Sequence, residues 1–162
     1  AFVAEINKHL CSQTIVQQEG GFITLLYGVL NNDTNEFQWT SAGHPMPLLH
    51  DIQNECMQQI GDHERSGLPL GVSEDADYET CSFILPPKSK LLLFTDGLIE
   101  AFPTHHTEGH CEFGLEGVFA TMYQSTELAP KETLEALFDA SLAFTEGSGR
   151  HDDTSIVVLS RD

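Results

Sequence analysis

Basic residues are scarce in this chain. Seven Lys and Arg stand against 25 Asp and Glu, and the formal net charge is −18 with His neutral. A polyanionic partner needs clustered Lys or Arg, so the balance argues against nucleic acid or an anionic membrane surface as the main partner. Long apolar runs are lacking too. None approaches a membrane span, and no signal-peptide pattern is present. Cysteine is limited to Cys11, Cys56, Cys81 and Cys111, with no CxxC spacing. They read as free thiols in a reducing cytoplasm, with two disulfides as the alternative. The residues around Ser41, Ser66 and Ser155 lack a nucleophile-elbow context, which argues against serine hydrolysis. No EF-hand loop occurs, so an acidic Ca²⁺-binding protein ranks last. An initiator Met is also missing. The chain opens at Ala1-Phe2-Val3-Ala4-Glu5-Ile6, already inside a helical apolar pattern, and is expected to be a piece of a longer protein.

What is present suffices for one domain with a real core: 162 residues, 40% of them hydrophobic. Phe2, Val3, Ile6 and Leu10 predict a helix over about residues 2–12. Residues 22–30 predict a strand, the turn chemistry of 31–35 follows, and the alternation of 36–41 predicts the returning arm of a hairpin. Residues 48–50 resume a short strand, with 56–60 as its partner. Residues 68–72, apolar but punctuated by Pro69 and Gly71, predict a packed irregular loop. Residues 78–85 and 91–95 predict two more strands, and 98–102 a short helix before Pro103. Helices are predicted over about 114–124 and from Pro130 onward, the second carrying Leu134, Leu137, Phe138, Leu142 and Phe144 on its apolar positions. Residues 155–159 predict a last buried strand. The layout is α+β with a largely antiparallel sheet system, read as a single domain over residues 1–162.

Two acidic clusters sit at strand ends. The run Leu91-Leu92-Leu93-Phe94-Thr95-Asp96-Gly97 carries a buried strand into a carboxylate, with Gly97 permitting a sharp turn. Asp152-Asp153 precede the last strand. If the two strands are adjacent and antiparallel, these carboxylates converge. Clustered carboxylates raise one another's pKa unless a cation compensates, and all-oxygen sites suit hard divalent ions. Alone this signal is weak, because acidic turns are common.

The order of the segments adds to it. Phe22-Ile23-Thr24-Leu25-Leu26-Tyr27-Gly28-Val29-Leu30, Ser41-Ala42-Gly43-His44-Pro45-Met46-Pro47, Gly67-Leu68-Pro69-Leu70-Gly71-Val72, the Thr95-Asp96-Gly97 run and Asp152-Asp153-Thr154-Ser155 appear in succession. Together they resemble the SpoIIE-like branch of the PP2C (PPM) serine/threonine phosphatases across nearly the whole chain. The resemblance implies a PP2C-like β-sandwich of antiparallel sheets flanked by helices, here N-terminally incomplete. It implies a two-metal Mn²⁺ or Mg²⁺ centre with Asp96 and Asp152 as ligands and Asp153 ranked below them. Gly97 and His44 would lie near the site. A plainer reading of His44, a loop imidazole fixing backbone by hydrogen bonds, is preferred.

The implied activity is two-metal, hydroxide-mediated phosphomonoester hydrolysis on a serine or threonine of a regulatory phosphoprotein in bacterial signal transduction. By resemblance the substrate is an anti-sigma-factor antagonist, and an upstream sensory or receiver domain supplies control. The family's early Gly-Asp and Asp-x-Ser-Gly motifs are not in these residues, and Gly61-Asp62 has the wrong context for either. The chain alone is therefore expected to bind metal weakly. The alternative is a catalytically inactive pseudophosphatase serving as an adaptor. His105, His106, His110 and Cys111 fit no zinc spacing and read as a solvated loop. Arg150 reads as a surface ion-pair residue beside His151.

Overall fold

The computed structural model describes residues 2–14, 16, 20–61, 65–103, 111–149 and 152–162. In chain order its elements are α1 (Phe2–Cys11), β1 (Leu25–Asn31), β2 (Glu36–Ala42), β3 (Leu48–Asp51), β4 (Cys56–Gln59), β5 (Cys81–Ile84), β6 (Ser89–Phe94), a 3₁₀ turn (Asp96–Leu98), α2 (Gly114–Gln124), α3 (Pro130–Phe144) and β7 (Ile156–Arg161). Contacts divide the chain into two compact units. One is Ala1–Met46 with Gln59–Pro86, the other Pro47–Gln58 with Pro87–Asp162. Among the described residues, no helix is long and apolar enough to cross a membrane. All four cysteines are free thiols.

The first unit holds α1 and an antiparallel sheet in the order β1-β2-β5. Alternation along β2 puts Phe37 and Trp39 on one face, where they stack at 5.7 Å and both meet the edge of Phe83. Helix α1 buries Val3 and, unforeseen from sequence, Asn7. A buried amide must be bonded. Asn7 Nδ2 donates to the Ser73 carbonyl at 2.8 Å, and its Oδ1 accepts the Gly71 N–H at 2.9 Å. The side chain thereby ties α1 to the irregular segment after residue 67. That segment is the packed loop expected: Leu70 is buried and bridges Ile23, while Gly67 and Gly43 exchange backbone bonds with the end of β2. Gly43 has φ +68, and a Cβ there would lie 2.5 Å from the Pro69 ring. Only glycine satisfies both conditions.

The second unit holds the sheet β4-β3-β6-β7 with α2 and α3. Strand β6 is central, with Leu91 and Leu92 fully buried and Phe94 nearly so. Leu92 and Phe94 join Val118 and Met122 of α2 and Leu137 of α3 in one core cluster. This is the helix-on-sheet packing that the 3.6-residue apolar spacing of 114–124 predicts. Lys90 is the anomaly on β6, a charged side chain only 4% exposed. Its Nζ donates to the carbonyls of Ser125 (2.6 Å), Thr126 (3.1 Å) and Leu128 (2.8 Å) and to Thr133 Oγ1 (3.0 Å). The ammonium thus satisfies carbonyls left over at the C-terminus of α2, where the helix dipole favours a cation. Burial holds its pKa below the ordinary lysine value, and Glu127 pulls the other way.

Several boundaries differ from the sequence reading. The strand expected from residue 22 begins at Leu25, because residues 22–24 leave the sheet and Ile23 pairs only with Leu70. The strand expected over 78–85 is confined to Cys81–Ile84, the only part facing β2. The short helix placed at 98–102 is a 3₁₀ turn starting two residues earlier. Leu142, one of the apolar residues of α3, is 46% exposed. Residues 104–110, Arg150 and His151 lie outside the described residues, as do 62–64 and, in the loop read at 12–20, residues 15 and 17–19. Replacing Lys90 with Met is expected to cost about 3 kcal/mol, because buried carbonyls lose their donor. Urea unfolding of the variant should show a lower midpoint with an unchanged slope.

Candidate functional site

The strands carrying the two acidic clusters are adjacent and antiparallel. Strand β6 pairs with β7 from Ser89↔Arg161 to Phe94↔Ile156. The C-terminal end of β6 and the N-terminal end of β7 therefore lie together, and the segments holding Asp96 and Asp152-Asp153 leave from the same end of the sheet.

Thr95 closes that end. Its N–H donates to the Ser155 carbonyl at 3.0 Å, extending the ladder by one rung. Its hydroxyl accepts the Ser155 N–H at 2.9 Å and donates to the Asp153 carbonyl at 3.1 Å. A threonine suits this position because one hydroxyl both donates and accepts. Beyond it the chain turns through Asp96–Leu98, and the Asp96 carbonyl accepts the N–H groups of Ile99 and Glu100, each at 2.9 Å.

Gly97 has a different role from the one its sequence position suggests. Its φ is not in the left-handed region. The glycine is instead required by close approach. A Cβ would lie 2.7 Å from the Asp153 carbonyl oxygen, 3.0 Å from Thr154 Oγ1 and 3.1 Å from the Asp152 carbonyl oxygen. The acidic segment before β7 thus rests on the bare backbone of Gly97.

Asp96 is partly buried, and its Oδ1 accepts the Gly97 N–H at 3.0 Å. Asp152 and Asp153 are exposed, and Asp152 Oδ1 accepts the Asp153 N–H at 2.8 Å. Each aspartate that the resemblance ranks as a ligand is thus oriented by the next backbone amide. Glu100 was missed by sequence reasoning. Desolvation raises its pKa, and the negative charges of Asp96, Glu112 and Asp152 raise it further. The signal was available: Glu100 stands four residues after Asp96, the spacing that places two side chains on one face of a helical turn. Thr95 was quoted within its motif but given no role.

The donor set is all-oxygen, which suits Mg²⁺ or Mn²⁺ and disfavours soft metals. Among the described residues, no group of three or more His, Cys, Asp or Glu stands close enough to hold an ion. The carboxylates fit part of a hard-cation site. His44 belongs to the first unit. Its N–H donates to Ser41 Oγ at 3.3 Å, its carbonyl accepts from that hydroxyl at 3.0 Å, and its Nδ1 lies 3.0 Å from the Pro45 carbonyl. The imidazole is engaged with its own turn. Cys111 is exposed.

Comparison with known proteins identifies the family and the fold. The family model described as Stage II sporulation protein E (SpoIIE) matches residues 1–162. Phosphoserine phosphatase RsbU of Bacillus subtilis (strain 168) is 27% identical over 143 residues, which is 86% of this chain and 39% of that protein. The chain thus spans about two fifths of its curated relative. The Mn-presoaked phosphatase domain of the cell-fate determinant SpoIIE from Bacillus subtilis has a similar fold. Its TM-score is 0.61 at 17% identity, covering 98% of this chain and 64% of that one. RsbX in complex with magnesium matches with TM-score 0.61 at 14% identity, covering 96% and 61%. At these identities the structures establish the α+β fold, with its antiparallel sheets and helices.

Two outcomes are expected at this end of the sheet. Gly97→Ala should cost about 1–3 kcal/mol in thermal or urea unfolding, since the new methyl displaces the 152–154 backbone. Asp96→Asn should lower the Glu100 carboxyl pKa read by NMR titration, because one of the charges that raises it is gone. An unchanged Glu100 titration would show that the two carboxylates do not sense each other.

Proposed function

The chain belongs to the SpoIIE family, and from that premise we propose that it is part of a metal-dependent protein serine/threonine phosphatase acting in bacterial signal transduction. The observation that carries the reading is the convergence of the Asp96 and Asp152 segments at one end of β6 and β7. In this reading the 162 residues are one portion of a single phosphatase domain. Asp96 and Asp152 hold Mn²⁺ or Mg²⁺, with Asp153 a lesser candidate. When bound, such ions stabilise charge on a phosphoryl group and supply a nucleophile at neutral pH.

The remaining work falls to the chain itself. Thr95 and Gly97 fix the spacing of the two acidic segments, and the Gly97 and Asp153 amides orient the carboxylates. The substrate is a phosphoserine or phosphothreonine on a regulatory protein, with an anti-sigma-factor antagonist as the candidate class. Control comes from a sensory or receiver domain elsewhere in the parent protein. Four free thiols fit a cytoplasmic setting. His44 acts in this reading by fixing its turn rather than by touching substrate.

The test uses the full-length parent protein. Hydrolysis of p-nitrophenyl phosphate should require Mn²⁺ or Mg²⁺ and disappear with EDTA. Asp96→Ala should lower kcat by at least about a hundredfold, beyond the loss typical of outer-shell partners, with little change in unfolding midpoint. Metal-independent hydrolysis, or full activity in Asp96→Ala, would overturn the reading.

A further inference from the structure

The second unit contains a buried titratable group that the carboxylate end does not use. His50, on β3, is 2% exposed, and its Nδ1 has no hydrogen-bond partner. A buried polar atom without a partner costs about 1–3 kcal/mol, so such atoms mark places where something else binds. The ring borders a cavity of about 410 Å³ together with Ile52, Glu55, Tyr123, Thr126 and Glu127. That volume is in the range of small-molecule sites.

The lining has a definite chemistry. The Tyr123 ring meets His50 edge-on at 5.2 Å and is itself 48% exposed. Glu55 and Glu127 are exposed carboxylates on the cavity wall. The cavity also adjoins the C-terminal end of α2, whose dipole favours positive charge. Thr126 contributes a hydroxyl that already donates to the Tyr123 carbonyl at 2.7 Å. Lys90 is a nearby cation, and its Nζ donates to four oxygens of the α2–α3 connection and α3. An aromatic face beside two carboxylates is how proteins hold ammonium and guanidinium groups.

We propose that this cavity is a binding site for a small organic cation, with Glu55 and Glu127 pairing its charge, Tyr123 stacking on it and His50 accepting a hydrogen bond. Burial, and then the charge of Lys90, hold the His50 imidazole below its ordinary pKa, while Asp51 opposes them. The ring is therefore neutral at pH 7 and keeps one nitrogen as an acceptor. The site is distinct from the carboxylate end. His50 faces Lys90 in the β3–β6 register, and Asp96 lies six residues further along, roughly 20 Å away at strand spacing. The inference is independent of the phosphatase reading.

The test titrates the 162-residue chain with agmatine, putrescine and the neutral analogue butane-1,4-diol, following the His50 ring signals by NMR. Agmatine and putrescine should give saturable shifts below about 10 mM, and the diol none. The double variant Glu55→Gln/Glu127→Gln, at two exposed positions, should weaken agmatine binding about tenfold, as two surface ion pairs predict. Tyr123→Leu should also weaken it. No saturable shift, an equal response to the diol, or undiminished agmatine binding in the double variant would overturn the proposal and leave the cavity to water.

Discussion

The register between β6 and β7 is the constraint on which the second unit depends. Lys90, Leu92 and Phe94 share the face of β6 that meets the α2–α3 connection and the helical core, so β6 cannot slide by one residue without carrying all three to the other face. Fixing β6 against β7 fixes where each strand ends. That in turn decides which residues emerge side by side. The segments carrying Asp96 and Asp152 leave from one end of the sheet because of hydrophobic burial several residues away. The sheet, not any attraction between like charges, brings the two segments together. Glu100 beside them has its pKa raised by desolvation first, and then by the charges of Asp96, Glu112 and Asp152.

The same unit shows how a charge is kept where burial should expel it. Lys90 stands in the middle of an apolar sheet but meets the unsatisfied carbonyls of a helix end. Desolvation of the ammonium is offset by bonds that those carbonyls would otherwise lack. The connection from α2 to α3 is therefore anchored to the sheet by one side chain.

Much of this was legible in the sequence, for identifiable reasons. Helices α2 and α3 begin and end where apolar spacing, Pro130 and the glycines predict, because periodicity reports a helix packed on one face. The pairing of β6 with β7 could be posed only as a condition, since period-two patterns do not name partners. The burial of Asn7 was invisible, as a polar residue looks the same in sequence whether solvated or bonded to a distant carbonyl. Leu142 shows that an apolar residue of a packed helix can still face water. Gly97 was noticed for the wrong reason. A sequence shows that a side chain is absent, and only geometry shows whether torsional freedom or a neighbour's proximity requires it.

Gly43 and Pro69 belong to two segments that look like separate signatures, yet each fills the space the other leaves. The turn at Ala42-Gly43-His44-Pro45 and the loop at Gly67-Leu68-Pro69 are two halves of one joint, stitched by backbone bonds between Gly43, Gly67 and Ser41. They form a single heritable module despite the two dozen or so intervening positions. A chimera that takes one half from a relative must take the other, even though the stretch between them leaves this joint to build β3 and β4.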